Sequence, residues 1–279
     1  MAGSDRSDLI EVYSEQADNY DTVVAYFTPL AADLIAHAGV RAGQDVLDIG
    51  CGRGAVLFQA AAVVGSAGSV TGIDLAPGMV AATAAEVADR GLSNVSVVQM
   101  DGYAPDFAAA SFDHVLGSMS IIMVPDLITA LGNYRVLLRD GGTLGFTAPA
   151  IGAEALDWHI GPFHLRRFLA DALPDTDLAG LASMLDVFDQ VKPDRMLADL
   201  RAAGFGAPRA IDVTTVVRGR SGRELVAWTF THGPRAFWNL VPEPRRAEYA
   251  QEWADRIDAE FGDADPRFET ISRVFLASK

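Results

Sequence analysis

Val46-Leu47-Asp48-Ile49-Gly50-Cys51-Gly52-Arg53-Gly54 decides the fold. A short apolar run ends in three glycines at alternate positions, and residues 55–64, AVLFQAAAVV, are apolar and alanine-rich. That is the order strand, tight turn, helix. Glycines at 50, 52 and 54 let the backbone turn sharply and come close to a ligand. The first N–H groups of the helix they open are free to hydrogen-bond ligand oxygens. A second acid, Asp74, closes the next strand, Ser69 to Asp74, twenty residues beyond Gly54. A carboxylate at that place accepts from the two hydroxyls of a ribose.

Outward from this turn, strands and helices alternate. Pro77 to Arg90 reads as a helix, Val95 to Met100 as a third strand and His114 to Ser118 as a fourth. Pro125 to Leu138 reads as a helix halted by Asp140-Gly141-Gly142, and Thr143 to Ala148 as a fifth strand. Nearly continuous apolar strands alternating with helices form a parallel sheet covered on both faces. Upstream, residues 8–38 read as helical: Leu9, Tyr13, Tyr20, Phe27 and Leu34 fall mostly at heptad intervals, and Pro29 starts a helix running to His37. Beyond Pro149 the rhythm changes. Residues 151–192 hold helix-like stretches and no clear strand. Arg195 to Ala203 reads as a helix, Arg209 to Val217 as a β-branched strand and Phe268 to Leu276 as a closing strand. Between these last two, residues 221–262 read as helical, with Trp228, Phe230, Phe237, Trp238, Tyr249 and Trp253 as an aromatic cluster. The expected class is α/β: a doubly wound, mostly parallel seven-stranded sheet with a helical lid. Its expected parts are an N-terminal helical cap (1–38), a core (39–150), a helical lid insertion (151–192) and the C-terminal end of the sheet (193–279), which carries the helical insertion 221–262.

Half of the 279 residues are hydrophobic, ample for a buried core, which excludes intrinsic disorder. Asp and Glu number 37 against 22 Lys and Arg, for a net charge of −15. Such a surface repels phosphate backbones and anionic lipid, so neither nucleic acid nor a membrane surface is an expected partner. The single cysteine, Cys51, makes no internal disulfide and no cysteine-rich zinc site, and no metal site is expected. The opening segment, MAGSDRSDLIEVYSEQADNYD, lacks the basic and apolar regions of a signal peptide. The longest apolar stretches, such as Ala60 to Val64, are too short to span a bilayer. A cytoplasmic setting fits all three features.

The glycine turn admits two nucleotide readings. As Gly50-x-Gly52-x-x-Ala55 it matches a dinucleotide fingerprint. As Asp48-x-Gly50-x-Gly52-x-Gly54 it resembles motif I of the class I S-adenosylmethionine-dependent methyltransferases. Further strings follow in that family's order and spacing: TGIDLAPGMV at 71–80, VQMDGYAPDFAAASFDHVL at 98–116 and LLRDGGTLGFTAP at 137–149. The resemblance covers roughly residues 40–150, with a weaker echo at LADLRAAGF (197–205). It is closest to the ubiquinone/menaquinone-biosynthesis-like branch of small-molecule methyltransferases. It implies a Rossmann-like fold with S-adenosyl-L-methionine as cofactor. It also implies that Asp48, Gly50 and Gly52 surround the methionine part and the sulfonium, with Ser118 near the same moiety. By the same resemblance Asp74 takes the ribose hydroxyls, Leu75 lies beside the adenine and Met79 packs on its face. Asp101 accepts from the adenine amino group and the Gly102 backbone meets the ring edge. Tyr13 and Tyr20 resemble the aromatic positions of an N-terminal helix folded over the cofactor. Arg53 departs from the pattern, which usually has a small Thr or Ser there.

Methyl transfer from a sulfonium is an in-line displacement, and alignment of the reacting atoms contributes roughly 7–11 kcal/mol. An acceptor of high pKa gains from a general base. His159 and His164 lie in WHIGPFH directly after the fifth strand, where strand carboxyl ends face the ligand crevice, so they are the candidate bases. His232, in the second aromatic segment, is a third; His37 is expected to be structural or at the surface and His114 to be remote. The aromatic residues of the two insertions point to an apolar or planar small-molecule acceptor. The implied function is methyl transfer from S-adenosyl-L-methionine to O, N or C of such a metabolite, of the kind made in secondary metabolism. Two alternatives use the same residues: a cyclase or isomerase that retains the cofactor, and a NAD-dependent oxidoreductase.

Overall fold

The structure, a computed structural model, describes residues 10–20, 24–150, 159–160, 163–164, 191–232, 235–239 and 241–279. Five strands come from the first half of the chain: β1 (Asp45–Ile49), β2 (Ser69–Asp74), β3 (Val95–Gln99), β4 (Phe112–Ser118) and β5 (Leu138–Pro149). A separate hairpin pairs β6 (His159–Ile160) with β7 (Phe163–His164). Two long strands, β8 (Gly206–Arg218) and β9 (Arg267–Ser278), close the chain. The seven-stranded sheet runs β3-β2-β1-β4-β5-β9-β8. All pairings among β1 to β5 are parallel, and β9 is antiparallel to both β5 and β8. The chain moves outward from β1 to β3 and then returns to place β4 on the other side of β1. In open α/β sheets, the crevice at such a switch point is where ligands bind, outside the strand carboxyl ends.

Burial explains the layers. Val46 and Leu47, neighbours in β1, point to opposite faces and are both fully buried. On one face α2 (Phe27–Ala38) and α3 (Ala55–Val64) bring Leu30, Leu34 and Leu57 against Val46, Val274 and Leu276. On the other, α5 (Leu127–Leu137) and α6 (Pro193–Ala202) bring Leu131, Tyr134, Met196 and Leu200 against Leu47, Ile73, Phe146 and Phe275. Pro77 opens α4 (Pro77–Asp89) at a position where a missing N–H costs nothing. At the sheet's amino end Arg139 clamps two strands, donating to Asp113 at 2.6 Å and Asp45 at 2.8 Å.

Three sequence expectations need correction. The N-terminal helical stretch is broken: α1 spans residues 10–15, turns occupy 16–20, and α2 starts at Phe27, two residues before Pro29. The helix before β5 stops at Leu137 rather than at the Asp140-Gly141-Gly142 turn, because Leu138 already pairs with Phe112 of β4. The stretch 151–192, read as lacking strands, contains the β6–β7 hairpin; its other residues up to 190 lie outside those described. Within 221–262 lie α7 (Gly222–Thr229), α8 (Arg235–Trp238) and α9 (Glu243–Phe261).

The placement of this last insertion matters for function. β5 and β9 pair as far as Pro149 opposite Ser272, while β8 and β9 continue to Arg218 opposite Arg267. Residues 219–266 therefore leave and rejoin the sheet at the end where β1, β4 and β5 finish.

Candidate active site

A cleft at the carboxyl ends of β1 and β4 is lined by Tyr20, Phe27, Asp48, Gly50, Gly52 and Ser118, with Arg53 and Val56 at its side. Gly50 has φ +65°, and a Cβ built there would lie 2.5 Å from the Cβ of Ser120. Ser120 in turn donates its hydroxyl to the Ile49 carbonyl. Only glycine lets the first turn close on the loop after β4 in this way.

The three strand tips are tied by the backbone. Gly52 N–H donates to Asp74 Oδ2 at 2.8 Å, and Ala76 N–H donates to Asp74 Oδ1 at 2.9 Å. Met100 N–H donates to the Asp74 carbonyl at 3.0 Å, so Asp101 follows directly on the Asp74 tip. Asp101 Oδ1 accepts from Tyr103 N–H at 2.9 Å. The Gly102 carbonyl accepts the Tyr134 hydroxyl at 2.6 Å, and a side chain at 102 would meet Ile49 at 2.9 Å. Carboxylate oxygens that accept one such bond keep a second lone pair for a ligand. The Leu75 carbonyl accepts from Gln99 Nε2 at 3.3 Å.

Asp48 is 1% exposed, and neither of its carboxylate oxygens has a hydrogen-bond partner among the described residues. Burial first, and the charge of Asp74 second, push it up to about 8; the nearby Leu57 backbone opposes weakly. Burial also raises Asp74, against the pull of its backbone donors. Among the described residues no cation contributes to either acid. The Cys51 thiol is pushed up by burial and then by Asp48 and Asp74, which makes it a packing group and not a nucleophile.

The N-terminal segment covers the adjoining surface. Tyr13 meets Tyr20 edge-on at 5.8 Å, and Tyr20 stacks on Phe27 at 5.1 Å. Met79, 2% exposed, packs with Ala17, Ala76, Tyr13 and Tyr20. The Tyr13 hydroxyl is raised by burial and by the charge of Asp74. Gly78 lies directly beneath the Ser14 backbone, where a Cβ would collide with it. The cleft thus brings together Tyr20, Asp48, Gly50, Gly52 and Ser118. Asp74, Leu75, Met79, Asp101, Gly102 and Tyr13 adjoin it along the β2 and β3 tips and do not line it.

His159 and His164 face each other in register across the β6–β7 hairpin, and their side chains lie outside the described residues. His114 pairs with Gln44 at 3.0 Å near the sheet's amino end, remote as expected. Sequence reasoning missed Phe27, Val56 and the loop after β4. In that loop Met119 has φ +58°, and its N–H is held by Thr147 Oγ1 at 3.0 Å. The same threonine meets the Ser118 hydroxyl at 3.0 Å. A non-glycine residue held at positive φ is a strained feature that tends to mark functional sites, but a linear sequence does not display it.

A buried acid, Asp48, with no compensating cation among the described residues and beside glycines that admit close approach, fits the ammonium-bearing methionine end of an adenosyl sulfonium. A carboxylate bonded at the β2 tip fits its ribose. The fold and site define a class I S-adenosyl-L-methionine-dependent methyltransferase. Residues 46–142 match the family model described as a methyltransferase domain. The chain is 42% identical over 245 residues to nocamycin O-methyltransferase of Saccharothrix syringae, covering 86% of this chain and 88% of that one. It is 44% identical over 149 residues to aklanonic acid methyltransferase DauC of Streptomyces sp. (strain C5), covering 53% and 68%. A phosphoethanolamine N-methyltransferase 2 from Haemonchus contortus, solved with S-adenosyl-L-methionine, shares the fold with TM-score 0.58 and 18% identity, over 97% of this chain and 56% of that one. The chain belongs to the S-adenosyl-L-methionine-dependent methyltransferases and uses that cofactor to methylate a small molecule. This sets the nicotinamide alternative aside. Among the described residues no helix is long and apolar enough to cross a membrane.

Proposed function

We propose that this methyltransferase acts on an acidic oxygen of an apolar metabolite, a carboxylic acid or an enolised dicarbonyl. The reading rests on one observation: apart from Arg53, which pairs with Glu86 at 3.2 Å, and the buried Cys51 thiol, the ionisable side chains at the cleft and its rim are acids and tyrosines, with no histidine among the described lining residues. Asp48 is raised to about 8, and the Tyr13 hydroxyl is raised above its ordinary value. Near neutral pH both groups already hold their protons, so neither is free to take one from a phenol or alcohol, whereas an acidic oxygen gives up its proton with little help. The names of the two relatives agree, one an O-methyltransferase and the other a methyltransferase of an acid.

In this reading Asp48 receives the cofactor's ammonium, Gly50 and Gly52 let the backbone reach its methionine part, and Ser118 borders the same end. Asp74 accepts the ribose hydroxyls, Leu75, Met79 and Gly102 border the adenine, and Asp101 accepts from its amino group. Tyr13 and Tyr20 close the N-terminal cap over it. The cofactor supplies a methyl group on a sulfonium, passed on by in-line displacement. The protein's own task is alignment and exclusion of water, which the stacked Tyr20 and Phe27 rings serve from one side. A cytoplasmic setting belongs to the same reading, supported by a lone, buried cysteine.

The test is incubation with methyl-labelled S-adenosyl-L-methionine and a panel of polycyclic acids and enols that includes aklanonic acid, with products located by mass spectrometry. Label on oxygen is expected. Label on carbon or nitrogen overturns the oxygen assignment. A changed product without label would revive the cyclase or isomerase alternative.

A further inference from the structure

Arg53 stands where the family pattern usually has a small Thr or Ser, and it lines the cleft together with Asp48. Among the described lining residues these two are the one carboxylic acid and the one guanidinium. Opposite groups so close ordinarily pair, and here they do not. Neither carboxylate oxygen of Asp48 has a hydrogen-bond partner among the described residues, and Arg53 is not among the groups that shift it. Arg53 turns instead to α4, where its Nη2 donates to Glu86 Oε2 at 3.2 Å. Arg90 takes the other oxygen of Glu86. One carboxylate thus serves two guanidinium groups, and one positive charge is left unmatched. The Nη1 of Arg53 is shielded from water and has no partner among the described residues, while the side chain as a whole stays 21% exposed. An unpaired, shielded donor on a charged group is costly, as is its acidic counterpart at Asp48.

The arrangement is built into the backbone. Thr83 Oγ1 donates to the Gly52 carbonyl at 2.6 Å, and Glu86 follows Thr83 by three residues on the same side of α4. The helix therefore holds residues 52 and 53 at two successive points, on the β2 side that fits the ribose. None of the described lining residues comes from the insertion 219–266. An acid and a guanidinium that face one small cleft without meeting are the complement of a zwitterion. The amino-acid end of an adenosyl sulfonium is such a group, with its ammonium and carboxylate on one carbon. We propose that Arg53 receives the α-carboxylate of S-adenosyl-L-methionine and so makes the enzyme selective for the intact amino-acid end of its cofactor. This deepens the reading in which Asp48 takes the ammonium and rests on it. A guanidinium suits the task because its N–H groups form a fork that matches carboxylate oxygens. Glu86 holds that fork before any ligand arrives, which lowers the ordering cost of binding.

The experiment is calorimetry on the full chain with S-adenosylhomocysteine and two analogues, one with hydrogen in place of the carboxylate and one with hydrogen in place of the ammonium. The wild type should bind the analogue without the carboxylate about 10–100-fold more weakly than S-adenosylhomocysteine, the loss expected for charge-assisted hydrogen bonds. Arg53→Met keeps the apolar stem and removes the guanidinium. It should weaken S-adenosylhomocysteine by a similar factor and leave the carboxylate-free analogue unchanged, so that the preference disappears. Arg53→Lys should restore part of it. The preference is a ratio taken on one protein sample, so a partly misfolded variant does not imitate its loss. A wild type without the preference overturns the proposal, and so does an Arg53→Met variant that retains it. An Arg53→Met variant that keeps its affinity for S-adenosylhomocysteine and raises only the KM of an acidic acceptor also overturns it, and assigns the guanidinium to the acceptor. Asp48 is judged separately: Asp48→Asn should lose the preference for S-adenosylhomocysteine over the ammonium-free analogue. If that preference survives, the ammonium reading of Asp48 fails, while the carboxylate ratio still judges Arg53.

Discussion

In the proposed reading, Asp48 couples protonation to cofactor binding. In the ligand-free protein it is pushed up to about 8, while an unfolded chain releases the same proton near 4. Between these values the native state holds one proton more than the unfolded state. The contribution of this group to stability is therefore complete below about pH 4 and is lost as the pH rises through 8. A cofactor ammonium favours the ionised carboxylate, so binding should expel about one proton near neutrality and tighten as the pH climbs toward 8. Calorimetry with S-adenosylhomocysteine in buffers of different ionisation enthalpy checks this. Asp48→Asn should release no proton and bind more weakly, by about 10–100-fold if one charge-assisted hydrogen bond is lost. Proton uptake by the wild type, or an affinity flat from pH 6 to 9, would sink the assignment.

Among elements, the parallel half of the sheet was legible because both faces of β1, β2 and β4 are covered, which forces short apolar runs such as Val46-Leu47-Asp48-Ile49. The glycine turn and Asp74 were legible for the same local reason: they follow strand ends directly. The β6–β7 hairpin was not, since two residues per strand show no alternation. Nor was the direction of residues 219–266, which depends on the antiparallel pairing of β9 returning the insertion at the strand carboxyl ends. Phe27 reads as one apolar helix position among several, and its place in the cleft wall follows from its position at the start of α2. The docking of the N-terminal segment on α4 hinges on Gly78, which Ser14 touches from above, its hydroxyl 3.4 Å from the glycine N–H. Gly78→Ala should lift residues 10–20 without unfolding the sheet. Limited proteolysis should then cut within that segment faster, while the main thermal transition moves little. Equal loss of both would mean that the segment is part of the core.

At the scale of the whole molecule, the net charge of −15 works against an acidic acceptor. Repulsion slows its approach, and salt relieves the repulsion as the screening length falls from about 30 Å at 0.01 M to about 8 Å at 0.15 M. The kcat/KM for an acid should therefore rise with ionic strength, and that for its neutral amide should stay flat in binding competition; stopped-flow and steady-state measurements across this range decide. A fall for the acid would reveal a local basic path into the cleft. The long β8–β9 ladder has a consequence for ancestry and design. Because it projects past Pro149 and carries residues 219–266, this insertion is a detachable graft, and in the proposed reading it forms a wall for the acceptor. In the same reading, the parts that grip the methyl donor belong to other strands. Exchanging that graft between relatives should retarget the enzyme while leaving its donor chemistry intact.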